Sequence, residues 1–154
     1  MKISAVQIIG LIAILTVGLV LRLHALGRES LWFDEQMFVL SSAGHLDDFT
    51  SMPANRVIDP PDLFGVDSFA PLSSVWNAKD IHPPLYPLVL RFWREMIGDS
   101  DAKVRGLSVL ASMVVILLMF DLARTLAGNS AAFWAASIVA VAQPEILYAQ
   151  ETRE

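Results

Sequence analysis

The chain has 154 residues, 55% of them hydrophobic, with a formal net charge of −5 and no cysteine. Lack of cysteine excludes disulfides, thiolate metal sites and cysteine nucleophiles, and without a Lys/Arg cluster nucleic-acid binding has no support. The mean hydropathy of +0.53 is concentrated in long apolar runs, which separates a membrane protein from a soluble one with a large core.

The first run, Ile3 to Leu21, carries no charge. It matches the roughly 20 residues that cross about 30 Å of hydrocarbon. A cleaved signal peptide is the competing reading, but its apolar region would be shorter and a small-x-small site would follow. Here Arg22-Leu23-His24-Ala25-Leu26-Gly27 follows, so an uncleaved membrane helix is expected over 3–23.

Residues 24 to 81 differ in kind. They hold Pro53, Pro60, Pro61 and Pro71, and nine acids against Arg28, Arg56 and Lys79. Cytoplasmic loops favour Lys and Arg, so this stretch is expected outside, as part of one large outer loop over 24–103 with short interfacial helices. Glu35 to Leu46 sets Met37, Phe38, Leu40 and Leu46 on an apolar helix face.

His82-Pro83-Pro84-Leu85-Tyr86-Pro87 comes next, then the short apolar segment Leu88 to Ile97, interrupted by Arg91 and Arg94. With Tyr86, Phe92 and Trp93 beside those arginines, it reads as a helix lying in the interface. A spanning helix is the alternative, and it would invert the topology downstream. Leu107 to Leu122 is apolar between Arg105 and Arg124, giving a second span over 104–124. The Ala127-Gly128-Asn129-Ser130 turn leads into a third over 130–148, so the last two form a membrane hairpin. Asp121 and Arg124 mark a solvated, cytoplasmic helix end.

Trp32-Phe33-Asp34-Glu35 stands just past the first span. Adjacent carboxylates diverge by about 100° on a helix, so one can face a reaction centre while the other orients a partner or metal. Trp32 and Phe33 suit the interfacial belt and would fix the depth of the pair. The plainer reading makes Asp34 a helix cap, with Glu35 favouring the helix dipole. His82, stiffened by the Pro-Pro pair, suits a phosphate or sugar hydroxyl, or is simply a solvated loop histidine; Lys79 and Asp80 are weaker candidates for the same phosphate. Gln150-Glu151-Thr152-Arg153 closes the chain, with Arg153 either an interfacial anchor or a phosphate fork. Glu145, an acid within an apolar run, is a functional candidate by position.

Together these residues resemble the polytopic GT-C glycosyltransferases that use polyprenyl-phosphate sugars, in particular the bacterial dolichyl-phosphate-mannose-protein-mannosyltransferase-like group, which includes aminoarabinose-lipid A transferase relatives. Three motifs match in order: Trp32-Phe33-Asp34-Glu35 after the first helix; His82-Pro83-Pro84-Leu85-Tyr86 with Arg105 opening the second; and Pro144 with Tyr148-Ala149-Gln150-Glu151-Thr152-Arg153 after the third. Thr152 departs from the family's usual Ala, and Glu154 from its usual apolar residue.

The resemblance implies an all-α, inverting glycosyltransferase in the cell's inner (plasma) membrane, with its catalytic loop on the outer face. It implies Asp34 as catalytic base with Glu35 beside it, and His82, Glu151 and Arg153 near the donor phosphate, where Lys79 is the further candidate by position alone. The implied partners are a polyprenyl-phosphate-linked sugar, a lipid, glycan or protein acceptor, and the membrane. No cofactor is fixed and no metal ligand is assigned, although the chemistry admits a divalent cation. Family members have many more membrane helices, so the resemblance also implies the N-terminal part of a longer protein. The alternative is a non-catalytic membrane subunit or a lipid-phosphate-binding module, which a stop codon after Glu154 would favour.

Overall fold

A computed structural model describes residues 4–53, 55, 57, 62–78 and 83–152. Their elements are helices: α1 (Ala5–Leu23), α2 (Phe33–Ala43), α3 (Leu46–Thr50), a 3-10 turn (Val66–Ser68), α4 (Leu72–Asn77), α5 (Leu85–Ile97), α6 (Asp101–Ala127), α7 (Asn129–Val141) and α8 (Gln143–Ala149). The expected all-α polytopic fold is the one observed. Among the described residues α1 and α6 are long and apolar enough to cross a membrane, and α7 with α8, bent by 57°, make a third span if taken together.

The chain divides into two compact units, Met1–Arg28 with Arg105–Glu151, and Glu29–Val104 with Thr152–Glu154. The boundary falls within the first turn of α6.

In the first unit, Ile116, Phe120, Ala132, Ala136 and Ala140 form the buried centre, with Leu11, Ile14 and Leu15 of α1 against it. The three alanines recur every four residues and so share one face of α7. Small residues of this spacing let helix backbones approach closely in lipid, where packing rather than hydrophobicity drives association. Gly18 is the α1 counterpart: a Cβ there would lie 3.0 Å from Ile116 Cδ1 and 3.4 Å from Ala140 Cβ. Phe120 and Phe133 pack edge to face at 5.2 Å. Val6, Ile9, Ile12 and Val20 on α1, and Leu110, Val114 and Leu118 on α6, are exposed, as side chains that meet lipid must be.

The expected third span, 130–148, is built from two helices. Pro144 has no N–H and cannot complete the bond to the carbonyl four residues back. Ala142 is extended at the break, and α8 starts with Pro144 in its first turn, a place that tolerates proline.

In the second unit α2 and α5 pack together. α2 ends in a left-handed Gly44 (φ 83°), with the Gly44 amide on Ser41 O and the His45 amide on Leu40 O, the paired bonds that terminate helices at glycine. A Cβ there would meet Ala70 Cβ at 3.0 Å. The helix expected over Glu35 to Leu46 therefore stops at Ala43, and Leu46 begins α3. Of its expected apolar face, Phe38, Leu40 and Leu46 are buried and Met37 is half-buried.

α5 has 13 residues, about 20 Å of helix, which is short of the hydrocarbon thickness. It is amphipathic in an inverted sense. Pro87, Leu90, Arg91 and Arg94 face inward, while Leu85, Val89, Phe92 and Met96 form an exposed stripe at helical spacing. Arg94, 1% exposed, organises the unit. Its Nε donates to Asp99 Oδ1 at 2.9 Å and its Nη1 to Val39 O at 3.0 Å and Ser42 Oγ at 2.7 Å; Nη2 donates to the Phe64 carbonyl. Asp99 Oδ2 accepts the Val66 amide at 2.6 Å. Both Arg91 and Arg94 lie over the Phe69 ring, at 4.6 and 4.9 Å. One guanidinium thus gathers α2, α5 and residues 64–69. Burial pulls Arg94 below its ordinary pKa, and the Asp99 charge opposes that pull.

Candidate active site

Trp32, in extended conformation (φ −67°, ψ 163°), immediately precedes α2 as its N-cap residue. The helix cap is therefore Trp32, not Asp34. Asp34 and Glu35 both stand in the first turn, where carboxylates are favoured by the unpaired amides and the helix dipole.

The roughly 100° step between neighbours gives these two acids opposite surroundings. Glu35 turns inward and is 1% exposed. Its Oε2 accepts the Trp32 amide at 2.9 Å, which satisfies an N-terminal donor of its own helix, and its Oε1 accepts the Thr152 amide at 2.8 Å. One carboxylate therefore ties the start of α2 to the tail that follows α8. Asp34 is exposed, and among the described residues its carboxylate makes no hydrogen bond or ion pair. Trp32 and Phe33, 64% and 66% exposed, stand beside it. Of the pair, Asp34 is the group open to an incoming molecule, and Glu35 is engaged with backbone.

Thr152 is completely buried, and among the described residues its hydroxyl has no hydrogen-bond partner. Phe38 packs edge to face on Tyr86 at 5.2 Å, which fastens the Pro-Pro segment's tyrosine to α2.

The remaining candidates are placed unequally. Glu151, half-buried, belongs to the first unit and closes α8's last turn with its amide on Tyr148 O at 3.3 Å. Lys79, Asp80, His82 and Arg153 lie outside the described residues. Among the described residues no three His, Asp or Glu side chains gather as a metal site would require.

Clefts among the described residues indent the second unit. One of about 420 Å³ is lined by Ser30, Gln36, Phe64, Arg94, Asp99 and Asp101 among others, without Asp34. Another of about 340 Å³ lies among Gly44, Asp47, Asp48, Ser73, Ser74 and Asn77. At its edge His45 meets Asp48 Oδ2 at 2.8 Å through Nδ1 and the Ser68 carbonyl at 2.5 Å through Nε2. Burial opposes the charged imidazole. The hydrogen bonds to Asp48 and Ser68, with the Asp48 charge, outweigh that and hold His45 above its ordinary value.

Residues 81–151 match the model of the dolichyl-phosphate-mannose-protein mannosyltransferase family. This mannosyltransferase match takes in less than half of the chain: α5, α6, α7, α8 and the Pro-Pro motif. His82 and Glu151 fall inside it; Asp34, Glu35, Lys79 and Arg153 fall outside. No curated protein and no solved structure matches the chain.

Sequence reasoning missed three residues that structure makes central. Arg22 and Arg94 look like flanking charges until their partners are seen, and Gln150 looks like part of a tail motif. A guanidinium within an apolar run was the available signal for the first two, because such a charge requires internal partners.

Proposed function

We propose that the chain carries the catalytic base of a membrane-embedded glycosyltransferase, which moves a sugar from a polyprenyl-phosphate donor to a lipid, glycan or protein acceptor at the outer face of the membrane. The observation that carries this reading is the Glu35–Thr152 hydrogen bond. It joins the residue just after the mannosyltransferase-like segment to the turn that presents Asp34.

In this reading Asp34 takes the proton from the acceptor hydroxyl or amine as that atom attacks the anomeric carbon. The bond from that carbon to the phosphate oxygen breaks, the configuration inverts, and the lipid phosphate leaves with the electron pair. His82, Lys79 and Arg153 supply positive charge to the departing phosphate, with Glu151 the fourth candidate beside the donor. Glu35 sets the geometry: with both oxygens on backbone amides it fixes the first turn of α2 and hence the direction of Asp34. A positioned general base contributes about 10²–10⁴ in rate.

The test is transfer from radiolabelled polyprenyl-phosphate sugars in membranes that carry the full-length gene product. Asp34→Asn keeps the shape but removes most of the basicity. Transfer falls by about 10²-fold or more if Asp34 is the base. Normal transfer by this variant would refute the assignment, and no transfer by the wild type from any such donor would leave the binding-module reading in its place.

A further inference from the structure

The α7–α8 break takes backbone carbonyls away from their ordinary helical partners. The last carbonyls of a helix have no donors from their own helix, and in lipid no water replaces them. Val139 O would bond to the amide of residue 143 in a continuous helix. Ala140 O would bond to residue 144, which is a proline and has none to give.

Arg22, at the last turn of α1, fills that gap. Its side chain is completely buried. Nη1 donates to Ala140 O at 2.9 Å and Nη2 to Val139 O at 3.2 Å, while Nε is held by Ser112 Oγ at 2.8 Å and Nη1 also meets Gly18 O at 3.1 Å. Side chains on a helix lean toward its N-terminus, so Arg22 folds back over position 18, where glycine leaves room; a Cβ there would sit 3.4 Å from Nη1. The planar fork of donors suits two successive carbonyls in a way an ammonium does not. Gln150, at the end of α8, answers from the other side: its Nε2 lies 2.9 Å from His24 O and 3.3 Å from Leu21 O and Arg22 O, which caps the end of α1.

We infer that Arg22 is a positioning residue: it replaces the two donors lost at the break before Pro144, holds the bend between α7 and α8, and so sets the direction in which α8 delivers Gln150 and Glu151. The bend stands independently of the proposed transfer; its effect on turnover rests on that reading.

A double-mutant cycle in the full chain tests it. Arg22→Met strips donors from the buried Ala140 carbonyl and the part-buried Val139 carbonyl and lowers the Tm by on the order of 10 °C. Pro144→Ala restores the missing N–H, so in that background Arg22→Met loses most of its effect. An Arg22→Met penalty of the same size in both backgrounds overturns the inference. Should Arg22→Met fail to accumulate, Arg22→Lys, which keeps charge but not the fork, is run in the same cycle with the same criterion. Transfer by the full-length protein gives the second readout. The double variant is stable yet has a kcat at least about 10-fold below wild type, because its bend is lost. A double variant that regains both stability and kcat overturns the positioning role and leaves Arg22 a structural cap. If the wild type shows no transfer, the failure belongs to the proposed function, and the stability cycle still decides the bend.

Discussion

The Thr152 amide donates to Glu35 Oε1 at 2.8 Å across 117 residues of sequence, so the buried member of the acidic pair is a brace while its neighbour Asp34 stays exposed. This division makes the two carboxylates separable by mutation. Glu35→Gln replaces one acceptor oxygen by a donor that faces a backbone amide. A buried group left unpaired costs about 1–3 kcal/mol, so this variant melts earlier in detergent, and its folded fraction transfers more slowly than wild type but faster than Asp34→Asn, because the base is kept and only its positioning is loosened. Asp34→Asn, on an exposed carboxylate that is not the cap residue, loses only its interaction with the helix dipole, about 0.3–1 kcal/mol, and shifts the melting curve less than Glu35→Gln. A Glu35→Gln protein that melts like wild type and yet is inactive would move the chemical role to Glu35.

The proposed orientation predicts a labelling pattern. The chain has no cysteine, so single cysteines report without background. Thr152 is completely buried and unsuitable, whereas Ser51, Ser130 and Tyr148 are exposed. With residues 24–103 outside and α7–α8 crossing as a bent span, an impermeant thiol reagent on intact cells labels positions 51 and 148 and spares 130. Labels on 130 and 148 together, or on neither, would make the bent pair re-entrant.

The exposed stripe of α5 predicts a depth. Leu85, Val89, Phe92 and Met96 line one side while Arg91 and Arg94 turn inward. An interfacial helix of this kind buries its apolar face about 5–10 Å into the headgroup boundary. Nitroxides at Val89 and Phe92 are therefore relaxed more by oxygen than by a water-soluble nickel complex. Equal relaxation by both would place the stripe in water.

The His45 pair predicts a pH dependence of the second unit. Its partners are Asp48 and the Ser68 carbonyl, with Arg91 opposing from α5. A histidine whose folded value is raised binds protons more tightly when folded. Its stabilisation is full below the ordinary value near 6.5 and is lost as pH rises through the raised folded value. The Tm difference between wild type and His45→Ala is accordingly largest in mild acid and shrinks toward pH 8. A difference independent of pH would assign the contact to the neutral ring.

The helical class was legible because apolar runs near 20 residues admit few other forms. The helix over Leu88 to Ile97 was legible too, but of the aromatic residues that suggested it, Tyr86, Phe92 and Trp93, only Phe92 falls on the exposed stripe. Long-range pairing was not legible. Nothing near Arg22 in sequence announces Ser112 or Ala140, and nothing near Glu35 announces Thr152. Pro144 was visible, but a proline reads equally as a kink or as the first turn of a new helix; the extended Ala142 decides between them. At the acidic pair, local pattern put a cap at Asp34, where an aspartate is an apt N-cap, while the structure gives the cap to Trp32 and uses the Glu35 side chain three residues later as the donor's partner.

The Arg22–Ala140 contact also orders the protein's assembly in time. The two residues are 118 positions apart, and at about 5–20 residues per second of synthesis roughly 6–24 s separate their emergence. For most of that interval Arg22 has only one of its final acceptors, Gly18 O of its own helix; Ser112 follows 90 positions later and the two α7 carbonyls last. Water and headgroups must serve the cation meanwhile, which holds the end of α1 at the membrane surface. Only when α7 arrives with its two spare carbonyls is that set of acceptors complete, so the end of α1 reaches its final contacts through a segment made long after it.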